Sequence, residues 1–353
     1  MMEGGLGKVD RDFLRRVLVK NLGAKSKDVL VGPGMGLDNA ILSIGQGRVM
    51  VVTADPISMI PSLGMEDSAW LTVHELASDL TTSGVKPQFA VLDYNLPPSL
   101  GMDDFGRYAK AVSRECSRLG VSIVGGHTGK YPGSDFSVVG GGMMMGIAGR
   151  SEYVTPLMMR RGDDLIMTKG SAIEATAVLA RTFPNTVKDE VGRSIADAAK
   201  GYFRLCSTVE DALTASSVGL GADGVTSMHD ATEGGVLGAL YELALSGKRT
   251  LWVEKADLML SEESRRVCGL FGLDPFVTVS EGTLLITCRP ERTSEVLARL
   301  AKKRIAAAVI GHVGETSSGR LSVTEAGKRK SYVPPKFDPY WNAYATGLEK
   351  GWK

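Results

Sequence analysis

Gly125-Gly126-His127-Thr128 and, in the second half of the chain, Met228-His229-Asp230-Ala231-Thr232-Glu233-Gly234-Gly235 are the stretches on which the reading of this sequence turns. Each sets glycines, which let backbone approach a ligand, beside side chains that bind cations or phosphates. Neither fits a common nucleotide motif. No Gly-x4-Gly-Lys-Ser/Thr occurs, and Gly32-Pro33-Gly34-Met35-Gly36 has the wrong spacing for the dinucleotide fingerprint. A Gly-x-Ser-x-Gly elbow is also absent. P-loop NTPases, simple Rossmann dehydrogenases and α/β-hydrolases are disfavoured. What remains is a nucleotide site built by a less common fold.

With 353 residues the chain is too long for one comfortable core, so two domains are expected. A formal net charge of +1 creates no whole-chain field that would favour nucleic acid or an anionic membrane. Lys302-Lys303-Arg304 and Lys328-Arg329-Lys330 read as solvated surface. Cys116, Cys206, Cys268 and Cys288 are widely spaced without a Cys-x-x-Cys, which fits buried free thiols better than a zinc site. Met1-Met2-Glu3-Gly4-Gly5 lacks a charged-then-apolar leader and no apolar run is long enough to span a bilayer, so a cytoplasmic protein is expected.

Periodicity predicts strands over 49–54, 89–93, 121–124 and 137–148, with helices over 67–83 and 103–119. Trp70, Val73, Ala77 and Leu80 form the apolar stripe of the first helix. Gly84 is placed to cap it, and Pro87 stops the pattern. After a break near 150–160, a strand over 165–168 leads into helices over 172–181, 188–199 and 207–217. Helices over 235–246, 262–271 and 292–303 then alternate with strands over 251–254, 284–288 and 307–313. The tail from Val333 carries Tyr340, Trp341, Tyr344 and Trp352, aromatics dense enough to dock on the body.

Several acids stand at the ends of apolar runs. Asp38 follows a glycine turn, Asp55 ends a strand, Asp79 lies on a helix face opposite its apolar stripe, and Asp230 precedes a glycine-led helix. Magnesium takes hard oxygen ligands and keeps waters, so a few carboxylates plus phosphate oxygens suffice. The backbone N–H groups of Gly234-Gly235, opening a helix, would suit a phosphate. Taken singly, each residue also has a plain structural reading. Asp38 and Asp55 fit turn residues, and Asp79 with Glu75 fits a solvated helix face. Asp230 and Thr232 fit an N-cap pair, and His127 fits a turn histidine.

Taken in order, the motifs resemble the aminoimidazole-ribonucleotide-synthetase-like, or PurM-like, superfamily. That superfamily includes aminoimidazole ribonucleotide synthetase, thiamine-monophosphate kinase, selenophosphate synthetase and the hydrogenase-maturation protein HypE; the pattern is nearest the HypE-like branch. The first half carries Gly7-Lys8-Val9, Leu30 through Ala40, Thr53-Ala54-Asp55-Pro56, His74 through Asp79, Ser83 through Pro87, and Gly125 through Thr128. The second half carries Gly162-Asp163-Asp164, Thr168-Lys169-Gly170, Glu174-Ala175-Thr176, Met228 through Gly235, and Ile310 through Gly314.

The resemblance implies a two-domain α+β fold of PurM-like type. An N-terminal α/β domain over 1–152 would bind ATP and metal and pair two subunits through a barrel-like interface. A C-terminal α+β domain over 153–330 and a docking tail over 331–353 would follow. The implied chemistry is ATP- and Mg2+-dependent phosphorylation of a carbonyl or acid oxygen on a small-molecule or protein-borne substrate, in a homodimer that uses neither nucleic acid nor membrane. Position by position, Asp38, Asp55, Asp79 and Asp230 become the metal residues, and Asp55, Asp79 and His127 the catalytic ones. Gly34, Gly36, Gly125, Gly126, Thr128, Lys169, Glu174, Gly234 and Gly235 become cofactor-binding residues, with Gly125–Thr128 and Asp230–Gly235 as matching elements of one nucleotide cleft.

Four departures qualify this picture. Leu37 stands where the family often has a second acid, Ala175 where its loop is glycine-richer, and Gly129 where the HypE-like branch commonly has an acid. No cysteine follows Cys288 before Glu349-Lys350-Gly351-Trp352-Lys353, so the HypE reaction on a C-terminal thiol is not expected. A non-catalytic, nucleotide-binding dimeric scaffold of the same fold is the alternative.

Overall fold

The computed structural model of the protein describes residues 6–353; the Met1–Gly5 stretch read for a leader lies outside them. The chain divides into two compact units. The N-terminal unit is Asp28–Gly32 with Asp38–Tyr153. Residues up to Lys27, the turn Pro33–Leu37 and all of Val154–Lys353 form the C-terminal unit. The main break falls at Tyr153/Val154, and the tail belongs to the C-terminal unit. Residues 6–27, the turn Pro33–Leu37 and the tail group with the C-terminal unit.

A six-stranded sheet in the order β1-β2-β3-β6-β4-β5 forms the N-terminal unit. Its strands are β1 (Val29–Val31), β2 (Ala40–Ser43), β3 (Arg48–Ser58), β4 (Phe89–Leu96), β5 (Ser122–Lys130) and β6 (Val138–Gly149). Helix α1 (Gly64–Thr81) carries the expected stripe: Trp70, Val73, Ala77 and Leu80 are all buried. Glu66 and Asp67 in its first turn suit the positive end of the helix dipole. Helix α2 (Met102–Leu119) begins with Asp103 and Asp104 for the same reason, and ends on Gly120 in the left-handed region. Because α2 connects β4 to β5, those two strands run parallel, as a crossover requires.

The strand expected over 121–124 runs further: Gly125-Gly126-His127-Thr128 is the middle of β5, paired Leu92 to Gly126 and Asp93 to His127 along β4, so His127 is not a turn histidine. Glycine makes the pairing possible: at Gly126, φ is +154° and a Cβ would lie 2.0 Å from the Leu92 carbonyl oxygen. β5 is the edge strand, and Ser122 through Thr128 are exposed.

The C-terminal unit is built on a seven-stranded sheet, β13-β12-β9-β11-β7-β10-β8. Its strands are β7 (Asp164–Thr168), β8 (Val225–Ala231), β9 (Arg249–Glu254), β10 (Thr283–Cys288), β11 (Ala307–Thr316), β12 (Arg320–Glu325) and β13 (Lys328–Tyr332). β7 and β10 are nearly continuous apolar runs buried on both faces, and β8 is buried throughout although it carries Thr226, Ser227, His229 and Asp230. The helix expected over 188–199 is two helices, Pro184–Val191 and Arg193–Gly201, because Gly192 takes φ +92°, ψ 149° and breaks the path. Around the sheet pack α3 (Ile173–Thr182), α4 (Pro184–Val191), α5 (Arg193–Gly201), α6 (Val209–Ser216), α7 (Gly235–Gly247), α8 (Glu262–Leu270) and α9 (Pro290–Lys302).

The tail forms α10 (Tyr340–Glu349), whose aromatics pack on this unit: Tyr344 lies 5.8 Å from Phe183, and Trp352 lies 5.0 Å from Phe271, centroid to centroid. All four cysteines are buried and free, as expected; burial pushes the Cys116 and Cys288 thiols up to about 11 and that of Cys268 up to about 12. No helix among the described residues is long and apolar enough to cross a membrane.

The strand pairing at Gly126 gives a direct test. Gly126→Ala must move β5 off Leu92, so urea unfolding is expected to show a loss of roughly 2–4 kcal/mol. A loss under about 0.5 kcal/mol would mean that β5 adjusts freely.

Candidate functional site

In the N-terminal unit one hydroxyl joins the backbone of Asp38 to the side chain of Asp79. Thr53, buried in β3, lies with its Oγ1 2.9 Å from the carbonyl oxygen of Asp38 and 3.0 Å from Oδ2 of Asp79. Its single proton is shared between the two acceptors. Asn39 Nδ2 donates to the Asp79 carbonyl and to Thr82 Oγ1, both at 2.8 Å, fixing the end of α1 against the start of β2.

Asp79 therefore does not belong to a plain solvated helix face. It is half-buried in the last turn of α1, which has no basic residue. A carboxylate there faces the negative end of the helix dipole, an arrangement that a bound cation relieves. Asp38, Asp55 and Asp79 supply hard oxygen donors suited to magnesium.

Asp55 follows Thr53 by two positions on β3, so the strand's alternation turns both to the same side. It also borders a groove of about 480 Å³ with Asp93 and the run Gly140-Gly141-Gly142. Gly125, Gly126, His127 and Thr128 are not brought to these acids. β6 and β4 lie between β3 and β5, a lateral separation of roughly 14 Å. The partner of His127 is Tyr131, whose hydroxyl stands 2.7 Å from Nε2. Gly129 makes room for that ring, since a Cβ there would come within 2.6 Å of the hydroxyl.

In the C-terminal unit Asp230 lies buried at the end of β8. Beside it, His229 Nε2 stands 3.6 Å from Glu242 Oε2, and Arg11 Nε stands 3.5 Å from Glu242 Oε1. Burial pushes the Glu242 carboxyl up, but hydrogen bonding to His229 and the charges of Lys8, His229 and Arg11 hold it down at about 2. The turn carrying Gly34 and Gly36 packs on α7: a Cβ on Gly36 would lie 2.4 Å from the Glu242 carbonyl oxygen.

Four predicted ligand residues of this unit have partners within it. The Lys169 ammonium bonds the carbonyls of Leu205 (3.1 Å) and Ser207 (2.6 Å) and pairs with Asp211 Oδ2 (3.1 Å), tying β7 to the start of α6. Gly234 donates its amide to Asp338 Oδ2 at 2.7 Å, and Gly235 donates to the Thr232 carbonyl at 3.1 Å. Glu174, in the first turn of α3, accepts from the Glu281 amide at 3.4 Å. Desolvation, with Asp338 and Glu233 nearby, pushes its carboxyl up to about 8.

Sequence reading missed Thr53, Asn39, Asp93, Tyr131, Glu242 and Asp338. A signal existed for Thr53: strand alternation places it on the side of Asp55. None existed for Asp338, which is brought to Gly234 only by the fold.

Residues 36–148 match the N-terminal domain of AIR synthase related proteins, and residues 160–324 match their C-terminal domain. A protein of Methanocaldococcus jannaschii named for hydrogenase expression and formation is 24% identical over 340 residues, spanning 94% of this chain and 96% of that protein. Carbamoyl dehydratase HypE of Rhodobacter capsulatus is 25% identical over 337 residues, 92% of either chain. Among solved structures, a HypE–HypF complex aligns with TM-score 0.71 at 18% identity, over 92% of this chain and 99% of the other. HypE in complex with ATP aligns with TM-score 0.67 at 20% identity, over 96% and 98%. The chain belongs to the AIR synthase related proteins, in their HypE-like branch, and has the two-domain PurM-like fold.

Glu174 carries a pH dependence. Its carboxyl is raised from 4.5 to about 8, so the fold holds this proton more tightly than the unfolded chain does. The stability it contributes is fully present below pH 4.5 and is lost as pH rises through about 8. Thermal melts between these limits are expected to show wild type losing stability relative to Glu174→Gln as pH rises. Parallel curves would exclude Glu174 as the titrating group.

Proposed function

We propose that this protein is an ATP- and Mg2+-dependent enzyme that phosphorylates a carbonyl or acid oxygen of a small-molecule or protein-borne substrate. One observation carries the reading: the half-buried carboxylate of Asp79, at the negative end of α1, is joined through Thr53 to the backbone of Asp38. Membership of the family, and its likeness to a protein named carbamoyl dehydratase and to HypE bound to ATP, give that carboxylate cluster a nucleotide context. When bound, magnesium would neutralise phosphate charge.

The residues named here do the rest. Asp38, Asp55 and Asp79 hold the cation, and Thr53 and Asn39 fix where Asp38 and Asp79 stand. Within the C-terminal unit, Asp230 at the end of β8 is proposed as an acidic ligand in its own right. Phosphoryl transfer is catalysed chiefly by positioning and electrostatic stabilisation, so a site of carboxylates without a dedicated nucleophile is chemically sufficient. Converting a carbonyl oxygen into a phosphate ester makes it a leaving group for dehydration or amine attack.

A second reading, a nucleotide-binding scaffold without turnover, is favoured by the internal bonding of Lys169 and Gly234, two groups expected at the nucleotide. ATP with magnesium is expected to stabilise the wild type, by about 2.7 kcal/mol at a hundredfold excess over Kd, and Asp79→Asn is expected to remove most of that shift. Absence of a wild-type shift overturns both readings. A shift without phosphate release across amide and carboxylic-acid substrates supports the scaffold.

We further propose a homodimer formed through the N-terminal sheet. Ile123, Val124, Val138 and Met143 expose 45%, 58%, 55% and 42% of their surfaces on β5 and β6, an apolar patch beside a bare strand edge. Light scattering is expected to give twice the mass of the chain for wild type and a shift toward monomer for Val124→Asp. A wild-type monomer at tens of micromolar would exclude the dimer.

A further inference from the structure

Strand β13 closes the C-terminal sheet and has β12 as its one neighbour among the described residues. The hairpin that joins them turns on Ala326 and Gly327, both at positive φ (+48° and +75°), as a two-residue turn matched to strand twist requires. Such a turn makes Glu325 and Lys328 the closing hydrogen-bonded pair. Alternation along the antiparallel ladder then directs the backbone of Lys328, Lys330 and Tyr332 at β12 and turns the N–H and C=O of Arg329 and Ser331 outward. Lys328, Arg329, Lys330 and Ser331 are all exposed, so no other described segment covers that edge.

The edge carries charge as well as open backbone. Lys328, Arg329 and Lys330 stand in a row, and among the described residues none of the three is in an ion pair. Glu325, opposite Lys328, is instead bonded to Lys255 Nζ at 2.8 Å. The Arg329 guanidinium lies over the Trp252 ring, 4.3 Å from its centroid, a contact that steadies the group and leaves its in-plane N–H donors open. Past the strand the exposure turns apolar: Val333 is 69% exposed and Phe337 38%. Pro334 and Pro335 lack the N–H that a ladder needs, so pairing stops at Val333.

Lysine on an edge strand ordinarily blocks pairing. Here the block is selective. A second copy of β13 would set these cations against their own kind, which disfavours self-association. An extended segment bearing carboxylates meets the opposite condition. It makes main-chain bonds to Arg329 and Ser331 and places its acids beside Lys328, Arg329 and Lys330. Phosphates of nucleic acid or lipid would answer the cations and the outward N–H groups, but as acceptors they leave the two outward C=O groups unanswered. A peptide backbone answers both.

We propose that β13 is a docking edge for an acidic, extended segment of a partner protein, which adds as a further strand beside Arg329 and Ser331 and rests an apolar side chain against Val333. The surface lies within the C-terminal unit and does not depend on the nucleotide reading.

The test uses the full-length protein and a labelled, end-blocked peptide of alternating glutamate and valine. Fluorescence anisotropy is expected to show saturable binding that weakens as salt rises. The same peptide with lysine for glutamate, and the acidic peptide N-methylated throughout, are expected to bind about tenfold more weakly or worse. The first control removes the charge match; the second keeps it and blocks the ladder. On binding, hydrogen exchange is expected to slow at the Arg329 and Ser331 amides, while the Lys328 and Lys330 amides, already in the ladder, change little. Lys328→Glu combined with Lys330→Glu, both at exposed positions, is expected to reverse the preference toward the lysine peptide. No saturable binding of the acidic peptide at millimolar concentration overturns the proposal, as does equal binding of the N-methylated peptide or unchanged exchange at Arg329 and Ser331. Tighter binding of a DNA oligonucleotide or of phosphatidylserine vesicles, lost in the same double variant, assigns the patch to phosphate and overturns it too.

Discussion

The N-terminal unit depends on backbone lying where no side chain can. On β6, a Cβ at Gly142 would come within 2.7 Å of Leu76 on α1, and on β5 the same atom at Gly126 would reach the carbonyl of Leu92. Those gaps let α1 press onto the middle of the sheet and let β4 and β5 close up. The consequence is positional. With α1 seated this tightly, its last turn reaches Thr53 on β3, and Asp79 comes to share a hydroxyl with the backbone of Asp38. A bulkier β6 would lift the helix and part the two acids, leaving their sequence motifs unchanged.

Both units then keep carboxylates where electrostatics disfavours them. Asp79 stands at the wrong end of a helix dipole, Glu174 is half-buried and desolvated, and Asp338 is buried with Glu233 nearby. Elsewhere, acids are compensated in ordinary ways: Asp211 by Lys169, Glu242 by Arg11 and His229, Asp163 by Arg289. The contrast separates acids paired with a cation inside the fold from Glu174 and Asp338, whose charge burial disfavours. It also gives Lys169 a structural role, since its ammonium ties β7 to α6.

Much of the fold was legible in the sequence because apolar periodicity is local. The stripe of α1, the acidic start of α2 and the buried runs of β7 and β10 follow from residues a few positions apart. The misreadings share a cause. Glycine is ambiguous: Gly125-Gly126 reads as a turn but pairs in β5, and Gly192 sits quietly within a helical pattern that it divides. For the candidate site, the motif aspartates stood out by their place after apolar runs, whereas the groups that orient them did not. Thr53 looks like any strand threonine, and Asp338 hides in a tail whose aromatics draw attention first. Their roles come from partners 26 and 104 residues away, which no short window contains.

The exposed edge β5 bears on how the protein should be handled. Its residues from Ser122 through Thr128 are open, and Val124 and Ile123 add apolar surface alongside. If a second copy covers that edge, folding and association are one equilibrium, and the chain's resistance to heat rises with its concentration. Dilution would then act as a mild denaturant. Stability compared between two preparations would have meaning only at matched molarity.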